Sequence, residues 1–389
     1  MRRALLALLA LFVLLAGAAF WLRGEGERSP AEAAATVTLL LGDGDGGGFE
    51  QAMLPGGIEL PRDHGPHDDY RTEWWYFTGN LSTPEGREFG FQLTFFRFAL
   101  GVAPLRQSGW ASNQVYMAHF ALTDKQASDH RVTERFARSA AGLAGVQAQP
   151  FRAWLDDWSA RSTSEKFLPL ELKASDATDG IGLSLSLAPG KPPVLQGENG
   201  LSAKGTAPGN ASWYYSYTRM PATGFVVMDG QRYEVSGLAW LDREWSTSSL
   251  DADVVGWDWF SLQLEDGRDL MLYSLRQQDG TTAPQSAGSL VSADGARRAL
   301  RRQDFVLEAR RHWRSPHSGV SWPVEWRVMV PGEEIDLDVK AAPPDQEQNL
   351  TVRYWEGTVD VYPAAGGSRT GRGYMELTGY RLPPAKNPR

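Results

Sequence analysis

The 389 residues include 15 Trp, 12 Tyr and 16 Phe beside 41 Gly and 23 Pro, which allows two domains and is typical of short strands joined by turns. A net charge of −8 excludes a surface built to bind nucleic-acid phosphates. The absence of cysteine excludes disulfides, thiolate metal sites and a cysteine nucleophile, so stability must come from packing.

The N-terminus has the pattern of a targeting segment. Two arginines precede an apolar run from Ala4 to Leu22, which Arg23 and a polar stretch close. We therefore predict export to the periplasm or the medium, with residues 1–23 acting either as a cleaved signal peptide or as an anchor in the inner membrane. Residues 24–57 are rich in Gly, Ala and Glu and predict a flexible linker.

The folded part opens with a polar and aromatic cluster, DHGPHDDYRTEWWY, at residues 63–76. Carboxylates beside indoles suit proton donation when they are buried, because burial raises their pKa. Glu73 and His67 are therefore candidate catalytic residues, and Trp74 and Tyr76 are candidates for ligand binding. A polar loop that leads into an aromatic core strand would give the same pattern. The histidines of the cluster lack an evident third ligand, and no metal site is predicted.

A pattern of strand, turn and strand occurs twice in the chain. EWWYFTGNL and REFGFQLTFFRF predict one hairpin, and GWDWFSLQL and RDLMLYSLR predict another. A separation of roughly 180 residues indicates a duplicated domain, although two unrelated aromatic hairpins would also align. The matched residues are Trp74 with Trp257, Tyr76 with Trp259, Phe77 with Phe260, and Leu81 with Leu264.

Short strands continue through both halves at the spacing expected of antiparallel barrels. We predict an all-β protein with one barrel domain at residues 58–248 and a second at 249–385, joined near the loop 245–256. Residues 136–158 leave two alternatives open, a short helix or an extended loop over a barrel mouth.

A second cluster, SGLAWLDREWSTS, lies at a predicted strand end. Alternation along a strand places Asp242 and Glu244 on one face with Trp240, while Arg243 and Trp245 point to the other face. Two carboxylates inside an apolar barrel would be costly unless they were paired or protonated. If they face inward they are candidate catalytic residues; at the rim they would be structural ion pairs.

Other catalytic and binding motifs are missing from the sequence. It has no G-x-S-x-G elbow, no P-loop and no G-x-G-x-x-G between a strand and a helix. Of the six histidines, His119 is the one in a clear predicted strand. The sequence therefore gives little support to serine hydrolysis and none to nucleotide binding.

Four stretches together resemble the AttH and carotenoid 1,2-hydratase (hydroxyneurosporene synthase) family of lipocalin-like proteins, often labelled predicted secreted hydrolases. The resemblance covers residues 58–382 and implies two tandem lipocalin-like antiparallel β-barrels. The stretches are DHGPHDDYRTEWWYFTGNL, VLQGENGLSAKG with NASWYYSYTRM, GLAWLDREWSTS with GWDWFSLQLEDGRDLMLY, and YWEGTVDVY with GRGYMELTGY.

The resemblance also implies a chemistry. Carotenoid hydratases of this family add water to a terminal carbon–carbon double bond, although Arg243 and Glu244 stand here where those enzymes are expected to carry His and Asn. Asp242 would protonate the alkene, and Glu244 or Glu73 would deliver water. No metal or organic cofactor is required. The candidate ligand-binding residues are Trp74, Tyr76, His119, Tyr214, Tyr215, Trp240, Trp245, Trp257 and Trp259.

The sequence thus predicts an exported protein that binds an apolar, isoprenoid- or lipid-like small molecule and that is a candidate hydratase. A non-catalytic carrier, a secreted hydrolase and a surface interaction module are the alternatives. Beyond the small molecule, the expected partner is a membrane, reached through the N-terminal segment; no nucleic-acid partner is expected.

Overall fold

The computed structural model describes residues 47–102, 112–247 and 250–380. The predicted targeting segment and the first part of the predicted linker lie outside these residues. Within the described ranges, no helix has the length and apolarity needed to cross a membrane. The described helical segments are the 3-10 turns Arg62–His64, Arg302–Asp304 and Pro331–Glu333.

The first sheet contains 13 described strands, and every pairing in it is antiparallel. The strands are β1 (Thr72–Ser82), β2 (Glu88–Ala99), β3 (Gln114–Asp124), β4 (Asp129–Arg138), β5 (Ala144–Gln147), β6 (Arg152–Leu155), β7 (Trp158–Ser162), β8 (Leu170–Asp176), β9 (Ile181–Leu187), β10 (Val194–Leu195), β11 (Leu201–Ala203), β12 (Ala211–Met228) and β13 (Gln231–Ser246). Their order is β4-β3-β2-β1-β13-β12-β9-β8-β7-β6-β5, and β10 and β11 pair with β12.

This sheet curls into a nearly closed barrel. Its edge strand β4 approaches β8, where the hydroxyl of Thr133 donates to Asp176 at 3.1 Å. The guanidinium of Arg135 also donates to the carbonyl of Ser175 at 3.1 Å. Side chains therefore bridge the gap that backbone pairing leaves open.

The second sheet contains ten described strands, again all antiparallel. The strands are β14 (Val254–Leu264), β15 (Asp269–Gln277), β16 (Ala287–Val291), β17 (Arg297–Arg301), β18 (Val306–Arg314), β19 (Ser321–Val330), β20 (Ile335–Ala341), β21 (Glu347–Asn349), β22 (Arg353–Pro363) and β23 (Gly371–Leu377). Their order is β17-β16-β15-β14-β23-β22-β20-β19-β18, and β21 pairs with β22.

The two sheets repeat one strand order. In the first, β1 lies between β2 and the last strand, β13; in the second, β14 lies between β15 and the last strand, β23. Tyr76 pairs with Asp242 in the first sheet, and its aligned residue Trp259 pairs with Glu376 in the second. The predicted pair of antiparallel barrels is confirmed. The sheets divide between Ser246 and Val254, while the exact domain limits stay a prediction.

Each sheet buries both of its faces along the central strands. On β1, Trp75 and Phe77 point into the first barrel, whereas Tyr76 points toward the second sheet. On β14, Phe260 points into the second barrel and Trp259 points toward the first sheet. Alternate residues thus belong to different cores, and this explains the continuous aromatic runs in the sequence.

The segment 136–158 matches neither of the two alternatives left open by its sequence. It continues β4 and then forms the antiparallel pair β5 and β6. The pair buries Ala144, Ala153 and Leu155 in the core of the first barrel. The small and apolar residues of this segment alternate along the strands, so that one face of each strand packs into that core.

Candidate functional site

A cavity of about 160 Å³ lies between the two sheets. Residues of β1, β2, β3, β12 and β13 form one wall, and residues of β14, β15, β22 and β23 form the other. The lining residues are Trp74, Tyr76, Gln92, Phe96, Phe98, Met117, His119, Lys204, Tyr214, Asp242, Glu244, Leu250, Trp257, Trp259, Tyr273, Leu275, Val352, Tyr354, Glu356, Glu376 and Thr378.

The position of this cavity corrects the sequence analysis, which placed the apolar space inside a barrel. Large side chains fill both interiors, among them Trp75 and Trp158 in the first barrel and Trp322 and Trp355 in the second, all buried. Side-chain alternation identifies two faces of a strand but not which face is the inner one. The face with Asp242 and Glu244 turned out to be the outer one.

The cavity is aromatic at its half-buried margin and acidic at its buried base. Trp74, Phe96, Phe98 and Trp257 are all half-buried. Asp242, by contrast, is only 4% exposed. A ligand in the cavity would therefore contact apolar rings over most of its surface and meet the carboxyl groups at the base.

Asp242 accepts three hydrogen bonds at the base of the cavity. The hydroxyl of Tyr214 donates to its Oδ2 at 2.7 Å, and the hydroxyl of Ser216 and the indole of Trp240 donate to its Oδ1 at 2.5 and 2.7 Å. Burial outweighs these hydrogen bonds and raises the pKa of Asp242 to about 7. Since a hydroxyl can donate or accept, this shell fits both the protonated and the ionised carboxyl.

Glu244 lies two residues after Asp242 on the same face of β13 and has a cationic partner. Its carboxylate is 3.2 Å from Nζ of Lys204, and the hydroxyl of Ser212 donates to the same oxygen. The ammonium group also lies over the rings of Tyr273 and Tyr214, at 4.1 and 5.1 Å from their centroids. The pair places one fixed positive charge beside the acidic base of the cavity.

The second sheet contributes two further carboxyl groups. Glu356 and Glu376 are cross-strand partners on β22 and β23, and the indole of Trp257 donates to Glu376 at 3.0 Å. Burial first, and then the proximity of Glu376, raises the pKa of Glu356 well above its usual range. Burial likewise raises the pKa of Glu376, with Asp242 and Glu244 adding to the rise. Closely spaced buried acids resist ionising together.

The predicted site residues divide between the two faces of the first sheet. Most lie at the cavity: Trp74, Tyr76, His119, Tyr214, Asp242, Glu244, Trp257 and Trp259 line it. Trp240 stands behind them, 6.4 Å from Trp259 between ring centroids. Glu73, His67, Tyr215 and Trp245 face the interior of the first barrel and do not line the cavity.

Inside that barrel, Glu73 is the centre of a buried ion network. Its two oxygens pair with the guanidinium groups of Arg97 and Arg243, and the Glu73, Arg97 and Arg243 side chains are fully buried. Burial opposes ionisation, but the two guanidinium groups outweigh it and hold the pKa of Glu73 well below its usual range. His67 stacks on Trp245 at 3.9 Å and contacts Glu73 at 3.2 Å.

Lys204, Glu356 and Glu376 also line the cavity, and the sequence analysis did not single them out. The two glutamates occur singly between apolar residues, in YWEGTV and YMELTG, which is a pattern for a carboxyl group on a buried strand. Extending the repeat to its last strand would have matched Glu376 with Asp242, because both pair with the aligned aromatic residues. Lys204 carries no such signal. Among the described residues, no group of His, Asp and Glu is arranged to hold a metal ion.

Comparisons with known proteins agree with this architecture. A family model described as AttH-like matches residues 52–380. A crystal structure of an AttH from Nitrosomonas europaea has 34% identity, a TM-score of 0.76, and covers 86% of this chain and 100% of its own. Kievitone hydratase from Nectria haematococca has 13% identity and a TM-score of 0.63, and the match covers 85% of this chain and 98% of the hydratase. The crystal structure of CghA has 15% identity and a TM-score of 0.51, and the match covers 87% of this chain and 98% of CghA. No curated protein sequence matches significantly.

The raised pKa of Asp242 predicts a pH-dependent stability. In the unfolded chain this carboxyl titrates near 3.8, whereas in the folded protein it keeps its proton to about pH 7. The folded state therefore binds more protons across this window, so the free energy of unfolding falls as the pH rises, by up to about 4 kcal/mol. We expect Asp242→Asn to flatten the decline that urea denaturation measures between pH 5 and pH 8.

Asp294→Asn is the matched control, because Asp294 is an exposed turn residue. Its decline with pH should follow that of the unaltered protein. Parallel curves for all three proteins would contradict the raised pKa.

Glu73 is predicted to be structural. Glu73→Ala would leave two buried guanidinium groups without a counter-charge and should lower the free energy of unfolding by about 3–5 kcal/mol. Urea denaturation measures the loss, and Glu59→Ala serves as control because the pair of Glu59 with Arg62 is exposed and should cost under about 1 kcal/mol. Equal stability of the two variants would contradict the structural assignment.

Proposed function

This chain belongs to the AttH-like family, and on that premise we propose that it binds an apolar, isoprenoid- or lipid-like molecule between its two sheets and adds water to a carbon–carbon double bond of that molecule. The observation that carries the proposal is the buried Asp242 carboxyl at the base of an aromatic cavity. A carboxyl group that keeps its proton near neutral pH in an apolar site is suited to act as a general acid.

Asp242 begins the proposed reaction as the proton donor. The π electrons of the alkene take its proton, which leaves a carbocation on the substrate and a carboxylate on Asp242. The hydroxyls of Tyr214 and Ser216 then donate to the new carboxylate at the distances already present. These hydrogen bonds strengthen as the charge develops, and so they favour the transition state over the ground state.

Aromatic rings stabilise the carbocation. Trp257 and Trp259 belong to the wall opposite Asp242, and Tyr76 packs edge-on to Trp259 at 5.4 Å between ring centroids. The faces of such rings attract a cation, more strongly where water is excluded. The low exposure of the cavity base also limits premature capture of the cation by bulk water.

Glu244 is the proposed base. A water oxygen bonds to the carbocation and passes its extra proton to the Glu244 carboxylate, so the net change is the addition of one water once the two acids exchange protons. Lys204 and Ser212 hold the Glu244 carboxylate in place through an ion pair and a hydrogen bond. Glu73 has no part in this scheme, because it lies on the opposite face of the sheet.

Two further observations bear on the alternatives. A structural neighbour is named kievitone hydratase, and at 13% identity it supports the shared fold and motivates the reaction proposed here. A non-catalytic carrier would use the same apolar cavity. A serine hydrolase is disfavoured, since among the described lining residues the single histidine, His119, lies 2.6 Å from the hydroxyl of Tyr354 and not beside a serine.

Binding and turnover separate the enzyme from the carrier. We expect the protein to bind N-phenyl-1-naphthylamine, a neutral apolar fluorophore, and to convert linear isoprenoids with terminal trisubstituted double bonds, starting with farnesol, to products heavier by one water in mass spectrometry. Asp242→Asn should retain fluorophore binding and lose at least about a hundredfold in turnover.

Asp294→Asn should match the unaltered protein in both assays. If the unaltered protein and Asp294→Asn both bind the fluorophore but convert no isoprenoid, the result supports the non-catalytic carrier. If the unaltered protein binds no fluorophore, and mass spectrometry finds no apolar compound that purifies with it, the proposed function of the cavity is overturned.

We further propose that the protein is exported, on the evidence of the arginines and the apolar run at its N-terminus. Fractionation of the native host followed by N-terminal peptide mass spectrometry tests this. A periplasmic or secreted protein that begins after the apolar run indicates a cleaved signal, and a membrane-bound protein that retains the run indicates an anchor. Recovery of the intact chain from the cytoplasm would contradict export.

A further inference from the structure

We propose that the buried Glu356 carboxyl exchanges its proton with bulk water through a relay of three side chains. The relay consists of Tyr354, His119 and Glu134. It crosses the contact between the two sheets, because Glu356 and Tyr354 belong to β22, whereas His119 belongs to β3 and Glu134 to β4.

The inner half of the relay contains one hydrogen bond and one close interaction. The hydroxyl of Tyr354 interacts with the Glu356 carboxyl on one side and lies 2.6 Å from Nδ1 of His119 on the other. The rings of Tyr354 and His119 are stacked at an angle of 24°. Tyr354 thus forms a hydrogen bond with an imidazole of the first sheet and interacts with a carboxyl group of its own strand.

The outer half of the relay leads to the surface. Nε2 of His119 is buried without a hydrogen bond and lies 3.7 Å from Oε2 of Glu134, its cross-strand partner. The other oxygen of Glu134 accepts hydrogen bonds from the backbone and hydroxyl of Thr351, at 2.9 and 2.8 Å. The Glu134 side chain is 22% exposed, so it is the member of the relay that meets solvent.

The state of each group fits proton transfer. Burial lowers the pKa of His119 to about 3, so the ring is neutral at neutral pH. A neutral imidazole has one nitrogen that donates and one that accepts, so it can receive a proton at Nε2 and release one at Nδ1. Burial also raises the pKa of Tyr354 well above its usual value, so Tyr354 stays a hydroxyl that accepts one proton as it gives another away.

The transfer balances without any additional reactant. A proton enters from water at Glu134, and each inner member gains one proton and releases one, so that a single proton arrives at the Glu356 carboxylate. The imidazole changes tautomer in the process and returns when the chain carries a proton in the opposite direction. The amides of Gln92 and Gln348, which lie 3.1 Å apart beside Glu356, hold the geometry and do not carry protons.

The relay stands without the proposed hydration, and only its use depends on that function. In the proposed hydration the proton that Glu244 takes from water has to return to Asp242, and the relay lets the acids of the cavity exchange protons with bulk water while ligand covers the apolar mouth. Glu356 interacts with Glu376, and Glu376 interacts with Asp242, so a proton delivered to Glu356 would be shared along this group of acids.

Infrared spectroscopy tests the relay in the protein alone, without substrate. The carbonyl stretch of protonated Glu356 is identified by its absence in Glu356→Gln, and its shift after transfer to D₂O gives the exchange rate. We expect His119→Phe and Tyr354→Phe each to slow this exchange at least about tenfold. The matched control is His130→Phe, which removes a second histidine of the same part of the barrel, placed on β4 outside the relay.

Circular dichroism establishes that each variant is folded, and Tyr354→Phe removes only one hydroxyl. Exchange as fast as in the unaltered protein, in both folded variants, would show that protons reach Glu356 through the cavity and would overturn the relay. A missing protonated band at neutral pH would overturn it as well. Neither result depends on whether the protein hydrates an alkene, so the two proposals fail separately.

Discussion

The burial of both faces of the two central hairpins is the constraint on which the rest of the structure depends. The outer faces of β1 and β13 cover that of β14 through Tyr76, Trp240 and Trp259, and a third core forms there between the two barrel interiors. Because the faces do not fill this contact completely, a cavity remains. Any carboxyl group on these faces is withdrawn from water, and the shifted pKa values follow from that position.

The fold was largely predictable from local pattern. Alternating apolar residues, acidic and glycine turns and a repeated hairpin determine antiparallel strands and their duplication, because these features depend on near neighbours in sequence. The face shared by Asp242 and Glu244, opposite to Arg243, followed from the same alternation. Its orientation toward the other sheet did not, since inside and outside are decided by how the sheets curl and pack. The ion network around Glu73 was not predictable for a related reason, because its two arginine partners are 24 and 170 residues away.

Duplication explains why the site has acids on both walls. Asp242 and Glu376 hold equivalent places beside Tyr76 and Trp259, one in each sheet. Their surroundings have diverged. Asp242 is held by hydroxyls and an indole of its own sheet, and it lies near the ion pair of Glu244 with Lys204. Glu376 faces a second glutamate and has no such cation beside it among the described contacts. Burial nevertheless raises the pKa of both acids to about 7.

Ion pairs also fasten one sheet to the other at positions outside the cavity. Lys125 pairs with Asp360 at 2.6 Å, and Lys191 pairs with Asp269 at 2.8 Å. A fragment limited to one barrel would lose these pairs, present a bare aromatic face to water and keep only half of the acids. Such a fragment would be prone to aggregate and would have no pocket to assay. Attempts to shorten this protein to a minimal working unit must therefore retain both barrels in one polypeptide.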